Sequence, residues 1–312
     1  MPHNSLALHQ QTMKLMGNRF EITVVAADAQ WAAECIAAAV AEIQRIEQML
    51  STYIETSATN QINAAAGIRP VQVPIEMIQL IQRAQHISSI TQGAFDLSYG
   101  SVDKRFWNFD QSMKRLPDAA TAQASVRLIN YKHIIVDAQA ATVMLKEKGM
   151  RIGFGGIGKG YAADKAKQVL QDLGVESGIV NASGDLVTWG KQADGSAWTV
   201  GVAHPDRADL PFSKLELNNM AIATSGNYEK FVVIDGVTYS HTIDPHTGYP
   251  IQGIKSVTVI CPHAELADAL TTPISIMGLS AGMYMVNQLK GVACIIIDDE
   301  NKIYTTDNIH LI

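Results

Sequence analysis

The chain is poor in the features that mark several protein classes. Its 312 residues hold 3 cysteines, Cys35, Cys261 and Cys294. That odd, widely spaced set without a Cys-x-x-Cys excludes a disulfide framework and a structural zinc site. Charged residues make up only 17%, and 24 Lys+Arg against 30 Asp+Glu leave a formal charge of −6 with no basic block. Nucleic-acid binding through a basic surface is therefore disfavoured. No unbroken apolar run approaches the ~18 residues of a membrane span, so no transmembrane segment is predicted. The first residues, Met-Pro-His-Asn-Ser-Leu-Ala-Leu-His, lack both the basic start and the apolar stretch of a secretion signal.

What is present is core-forming material: 47% of residues are hydrophobic, ample for burial and against disorder. At roughly 150 residues per domain, the length suits one large domain or two intimate ones. Phe20-Glu-Ile-Thr-Val-Val reads as a strand. From Asp28, an N-cap, the residues Trp31, Cys35, Ala39, Ile43, Ile46 and Leu50 recur at helical spacing and predict a helix over 28–50. Pro74 opens a second helix that Gly93 stops. A short third helix over 118–128 is capped by Asp118. The segments 133–137 and 142–146 read as a strand pair, followed by an extended 151–154 and a helix over 157–173 that ends at Gly174. Short β-like runs then follow at 179–181, 186–189, 198–203, 215–217, 220–224, 231–234 and 256–260. A helix over 265–289, broken near Gly278, and a strand over 292–297 close the chain. Regular β-α alternation is missing. The pattern predicts an α+β fold with largely antiparallel sheets and packed helices, in two intimately associated subdomains. The domain covers 13–312, with a soft boundary near 118 and an N-terminal extension over 1–12.

Arg151-Ile-Gly-Phe-Gly-Gly-Ile-Gly-Lys-Gly-Tyr161 is the densest local signal. Gly153, Gly155 and Gly158 spell G-x-G-x-x-G. The ribose-binding acid of a dinucleotide fold is missing, however, because Asp172 falls at a helix end rather than after a strand. Gly153 to Lys159 also matches G-x4-G-K, but Gly160 stands where a P-loop needs Ser or Thr. Two readings remain: a backbone cradle for phosphate, in which Gly155 and Gly156 approach the ligand, or a tight turn where strand meets helix.

Asp268 and Thr272 lie four apart in Ala267-Asp-Ala-Leu-Thr-Thr272. On a helix they share one face, with Cα atoms ~6 Å apart. A carboxylate with a hydroxyl is hard-oxygen chemistry suited to Mg²⁺. Spacing alone favours the blander alternative, one solvated Asp and one Thr bonded to its own backbone, and Pro273 should kink the helix. In Tyr239-Ser-His-Thr-Ile-Asp-Pro-His-Thr-Gly248, the Asp-Pro and Thr-Gly pairs hold His241 and Asp244 on a constrained loop. His241 has a reference pKa of ~6.5, suited to a base near neutrality; a surface or hydrogen-bonded role is the alternative. His241 with His246 does not make a zinc pair, because a turn separates them and no third ligand follows.

These blocks, in this order, resemble the ApbE family of FAD:protein FMN transferases. The likeness runs from Leu15-Met-Gly17 through Ser51-Thr-Tyr53 with Asn63, Gly93-Ala-Phe-Asp96 with Gly100, and Phe106-Trp-Asn-Phe109. It continues through Gly155-Gly-Ile-Gly-Lys-Gly-Tyr161, Ala223-Thr-Ser-Gly226, the 240–250 loop and Ala267 to Thr272. The resemblance implies an enzyme that breaks the FAD pyrophosphate with Mg²⁺, passes FMN to a Thr or Ser hydroxyl of an acceptor flavoprotein, and releases AMP. It implies Asp268, Thr272 and a carbonyl near Gly158 as metal ligands. Met16, Tyr53, Ala94, Phe95, Asp96, Lys159 and Thr242 become flavin-nucleotide contacts, and His241 the base, with Asp244 the next candidate. An FAD pyrophosphatase and a flavin-binding protein without catalysis are the alternatives. The chain departs from the family at Gly153, usually Asp, which removes one candidate FAD contact. Further departures are Ser98 for Thr, Gly158 for Ala, Ser183 for Gly, Asn227 for Asp and Pro273 for Ala. Family members are commonly exported lipoproteins. Here the first cysteine lies within a predicted helix, so the chain as written reads as cytoplasmic, or as exported if a signal was removed.

Overall fold

The computed structural model describes residues 5–103, 115–204, 207–226 and 231–307. Among these, the chain forms β1 (Ala7–Leu15), β2 (Asn18–Ala26), α1 (Ala29–Leu50), α2 (Ala58–Ala64), β3 (Val71–Gln72), α3 (Ile75–Ile90), α4 (Ala119–Val126), β4 (Ile134–Asp137) and β5 (Thr142–Leu145). There follow α5 (Gly158–Asp172), β6 (Gly178–Ala182), β7 (Asp185–Trp189), β8 (Trp198–His204), β9 (Arg207–Leu217), β10 (Ala221–Gly226), β11 (Phe231–Ile234) and β12 (Val237–Ser240). The last are β13 (Ile254–Cys261), α6 (Ala264–Asn287), β14 (Ala293–Asp298) and β15 (Ile303–Thr305).

The frame is an eight-stranded sheet in the order β1-β2-β6-β7-β10-β13-β14-β15, with its neighbours paired antiparallel. The fold is thus α+β with mostly antiparallel sheets. Strand periodicity sorts its side chains onto two faces. Val257, Val259, Cys261, Cys294 and Ile296 join the large core beneath the helices. The alternate residues Ile260, Ala293 and Ile295 enter a smaller cluster with Leu186, Ile222 and Leu217. The three cysteines are buried as free thiols. A three-stranded sheet, β3-β5-β4, adds Val71, Val143 and Leu145 to the large core.

The starts of α1 and α4 follow the capping chemistry in the sequence. Asp28 accepts the amide of Trp31 at 2.9 Å, and Asp118 that of Thr121 at 2.9 Å. The extended segment expected at 151–154 is irregular rather than a strand, because its backbone pairs with a side chain. Asn63 Nδ2 donates to the Ile152 carbonyl at 3.0 Å, and Asn63 Oδ1 accepts the Ile152 amide at 2.7 Å. β1 begins at Ala7, inside the segment read as an extension, and forms the outer edge on β2. Its residues Ala-Leu-His-Gln-Gln-Thr-Met-Lys-Leu are mostly exposed, so it carries little alternating apolar signal. Of the described helices, α6, with 24 residues, is long and apolar enough to cross a membrane. Half of its apolar stretch is buried against the core, and the helix breaks at Gly278 (φ 80°, ψ 170°).

Candidate active site

The glycine-rich segment is a tethered loop. The Asn63 clamp fixes its entry, the Gly153 amide donates to the Leu97 carbonyl at 2.9 Å, and the Gly158 amide to the Phe154 carbonyl. The glycines then separate by role. A Cβ on Gly155 would meet nothing within 4 Å, and one on Gly156 would meet only Phe95 at 3.7 Å; both face open space. A Cβ on Gly160 would fall 2.1 Å from the Ala264 carbonyl oxygen. Gly160, the residue that defeats a P-loop reading, is what lets α5 cross α6 in backbone contact. Met16 also meets this loop, its methyl 3.7 Å from a Cβ placed on Gly158.

At that crossing lies a buried charge cluster. Lys159 Nζ stands 2.7 Å from Asp185 Oδ2 and 3.3 Å from Asp268 Oδ1. Asp268 Oδ2 accepts the Gly160 amide at 3.1 Å, so this carboxylate closes the start of α5, where the helix dipole favours negative charge. Asp268 is 5% exposed and Asp185 4%; the solvated Asp that spacing favoured is in fact buried. The hydroxyl that bonds its own helix backbone is that of Thr271, to the Asp268 carbonyl at 2.9 Å. Burial opposes the Lys159 ammonium, but the carboxylates of Asp268 and Asp185 hold its pKa above the ordinary lysine value. Burial and the neighbouring charge of Asp268 push the Asp185 carboxyl up, against the pull of Lys159.

One turn along α6 from Asp268, Thr272 lines a cleft of about 540 Å³. Its lining also includes Ala94 and Phe95, the glycines 153, 155 and 156, and His241 with Thr242. The cleft is mainly apolar and glycine-lined, with a few hydroxyl and imidazole groups, which suits a flat ring joined to a phosphate. The β12 end and the following turn place His241. The Thr242 amide donates to Ser240 Oγ at 3.0 Å, and the Ile243 amide to the Tyr99 hydroxyl at 2.8 Å. Burial drives the Tyr99 phenol up to about 12, so it stays protonated.

The structure thus gathers Ala94, Phe95, Gly155, Gly156, His241, Thr242 and Thr272 at one cleft, with Gly158, Lys159 and Asp268 joined through the α5–α6 crossing beside it. Tyr53 is 97% exposed, one residue beyond Thr52 on the cleft wall. Asp96 lines the cleft, but its carboxylate is engaged by the Ser98 amide (2.7 Å), the Ser98 hydroxyl (2.6 Å) and the Tyr131 amide (2.6 Å). Asp244 is likewise engaged within its own turn, by the His246 amide and ring at 2.8 Å and the Thr247 hydroxyl at 3.2 Å. His246 Nε2 donates to the Gln92 carbonyl at 2.9 Å and is tied to its turn, not paired with His241. Phe106 to Phe109 and Asn227 lie outside the described residues. Asp185 receives no role from the motifs, although it is the acid of Ser183-Gly184-Asp185, which stands where the family has a Gly-Gly-Asp block, at the turn between β6 and β7.

The ApbE family model matches residues 16–296, and the chain belongs to that family. A FAD:protein FMN transferase of Klebsiella pneumoniae (strain 342) is 32% identical over 82% of this chain and 79% of its own length. One of Salmonella typhimurium is 30% identical, covering 94% and 85%. Among solved structures, the ApbE protein of Thermotoga maritima superposes with a TM-score of 0.83 at 30% identity, covering 96% and 97%. The Pseudomonas stutzeri flavinyl transferase ApbE, in its apo form, gives 0.85 at 27% identity, covering 98% and 97%. These likenesses extend across the sheet and site described above, and the chain is an enzyme of the transferase kind.

Proposed function

We propose that the chain transfers the FMN part of FAD to a Thr or Ser hydroxyl of an acceptor flavoprotein and releases AMP, with Mg²⁺ as cofactor. The carrying observation is the adjacency of a glycine-lined cleft and a buried hard-oxygen cluster, joined by α5 and α6. Carboxylate, hydroxyl and carbonyl oxygens fit Mg²⁺, which keeps water and phosphate oxygens as its remaining ligands. The buried Asp185 Oδ2, which makes no hydrogen bond of good geometry, leaves room for more positive charge. Asp268, Thr272 and the Gly158 carbonyl are the residues that would hold the ion. When bound, it supplies charge neutralisation at the pyrophosphate.

The chain's own residues do the rest. Gly155 and Gly156 allow the nucleotide close to the backbone, and Phe95 and Ala94 offer an apolar wall to the isoalloxazine. Lys159 supplies a fixed positive charge beside the phosphates. His241, on the cleft wall, accepts the proton of the incoming hydroxyl, a role worth ~10²–10⁴ in rate. Incubation with FAD, Mg²⁺ and candidate flavoproteins should yield AMP and a fluorescent covalent band. Intact FAD and no labelled acceptor would defeat the reading. FMN release at a comparable rate without any acceptor would replace it with hydrolysis.

A further inference from the structure

The Lys159 ammonium is held unevenly: 2.7 Å from Asp185 but 3.3 and 3.4 Å from the two oxygens of Asp268. It is tightly paired to one carboxylate and loosely to the other. Asp268 keeps a separate bond to the Gly160 amide at 3.1 Å, so its orientation does not depend on the lysine. Asp185 is fixed as the first residue of β7, opposite Ala182 on β6. The Thr224 backbone bonds this carboxylate, while its buried Oδ2 has the ammonium beside it, off hydrogen-bonding angle. A buried carboxylate oxygen so poorly satisfied is costly unless a positive charge faces it.

We propose that Asp185 is a positioning residue that retains Lys159, so that Asp268 can be surrendered to a divalent cation. This rests on the reading of Asp268 as a metal residue given above. In the cation-free chain the lysine is the resident positive charge between two carboxylates. When a divalent ion approaches Asp268, the ammonium withdraws onto Asp185 rather than being expelled. It then stands as a separate cation beside the ion, directed at the phosphates. Without Asp185 the ammonium has only Asp268 to pair with and competes directly with the ion. Without Lys159, two buried carboxylates face one another, and an incoming divalent ion takes the place of the ammonium.

The test measures Mn²⁺ binding by electron paramagnetic resonance on the full chain without FAD, together with the rise in melting temperature that Mn²⁺ produces. Lys159→Met should bind Mn²⁺ roughly tenfold or more tightly than the wild type, because a competing buried charge is gone. It should also gain more thermal stability from the ion. Asp185→Asn should bind roughly tenfold more weakly, while Asp185→Glu restores binding toward the wild-type value. Equal or weaker binding by Lys159→Met, or unchanged binding by Asp185→Asn, overturns the proposal while leaving the metal reading intact. Should Lys159→Met not fold, the Asn and Glu variants decide alone. If the wild type binds no Mn²⁺ with or without FAD, the metal reading itself fails and takes this inference with it.

Discussion

Replacing Asp268 two ways separates its structural from its electrostatic work. Asp268→Ala removes the acceptor of the Gly160 amide (3.1 Å) and the second carboxylate of Lys159. An unsatisfied buried amide costs about 1–3 kcal/mol. The larger loss of ~3–5 kcal/mol from orphaning a buried charge is avoided, since Lys159 keeps Asp185 at 2.7 Å. Asp268→Asn keeps the shape and an oxygen for the amide, so its folding cost should be about 1 kcal/mol or less. In the reaction the two variants should converge. Each removes the carboxylate proposed for the cation, and losing ~4 kcal/mol of transition-state neutralisation slows transfer by about 10³-fold. Urea unfolding and the rate of covalent flavin labelling, measured on both, check this. The expected pattern is unequal stability with equal loss of transfer. An Asn variant that is stable and retains a tenth or more of wild-type transfer would refute the assignment of the charge to Asp268.

Other outcomes follow from particular contacts. His241→Ala should leave Mg²⁺-dependent FAD binding near wild type while slowing acceptor labelling by ~10²–10⁴; labelling at the wild-type rate would move the base elsewhere. Gly155→Ala should change unfolding free energy by less than about 0.5 kcal/mol yet weaken FAD binding measured by fluorescence. Gly160→Ala, whose Cβ would sit 2.1 Å from the Ala264 oxygen, should cost about 3 kcal/mol or more in a urea titration. Ser183 holds φ 58°, so Ser183→Gly should stabilise the chain by about 0.5–1 kcal/mol, the αL penalty less the extra unfolded-state freedom of glycine. Partial burial works against the His246 cation, but the Gln92 carbonyl and the Asp244 carboxylate raise its pKa above 6.5. Its ion-pair stabilisation is therefore full below that value and fades as pH rises through the folded one. A proton NMR titration should show the raised midpoint, and Asp244→Asn should lower it.

The longer helices were legible from their period and α4 from its cap. The seven-residue α2, on its Ser57 cap, is too short to show a period and was not legible. Asp28 and Asp118 open α1 and α4 as their side-chain chemistry demands, and the buried stripe of α1 is Cys35, Ala39, Ile43 and Ile46. Strands were legible where a short run of β-branched and apolar residues is buried on both faces, as in β13, in which every residue after Lys255 is buried. They were not legible at β1 and β15, edge strands whose partly solvated faces blur the alternation. The segment at 151–154 looked extended because its residues suit a strand, but its backbone groups bond to Asn63, and a long-range side-chain partner leaves no periodic trace. Within the site, the same limit decided what could be seen. Asp268 with Thr272 and the glycine run are local patterns, readable at fixed spacing. Lys159, Asp185 and Asp268 meet only because α5, β7 and α6 are packed together, across 26 residues from 159 to 185 and 83 more to 268. No spacing rule reaches that far. The turn offered the one nearby hint: Ser183 and Gly184 both take positive φ, at 58° and 100°, and this tight reversal fixes where Asp185 starts its strand. A serine tolerated in a left-handed conformation, two residues before a buried and poorly satisfied carboxylate, is strain accumulated where function is proposed to reside.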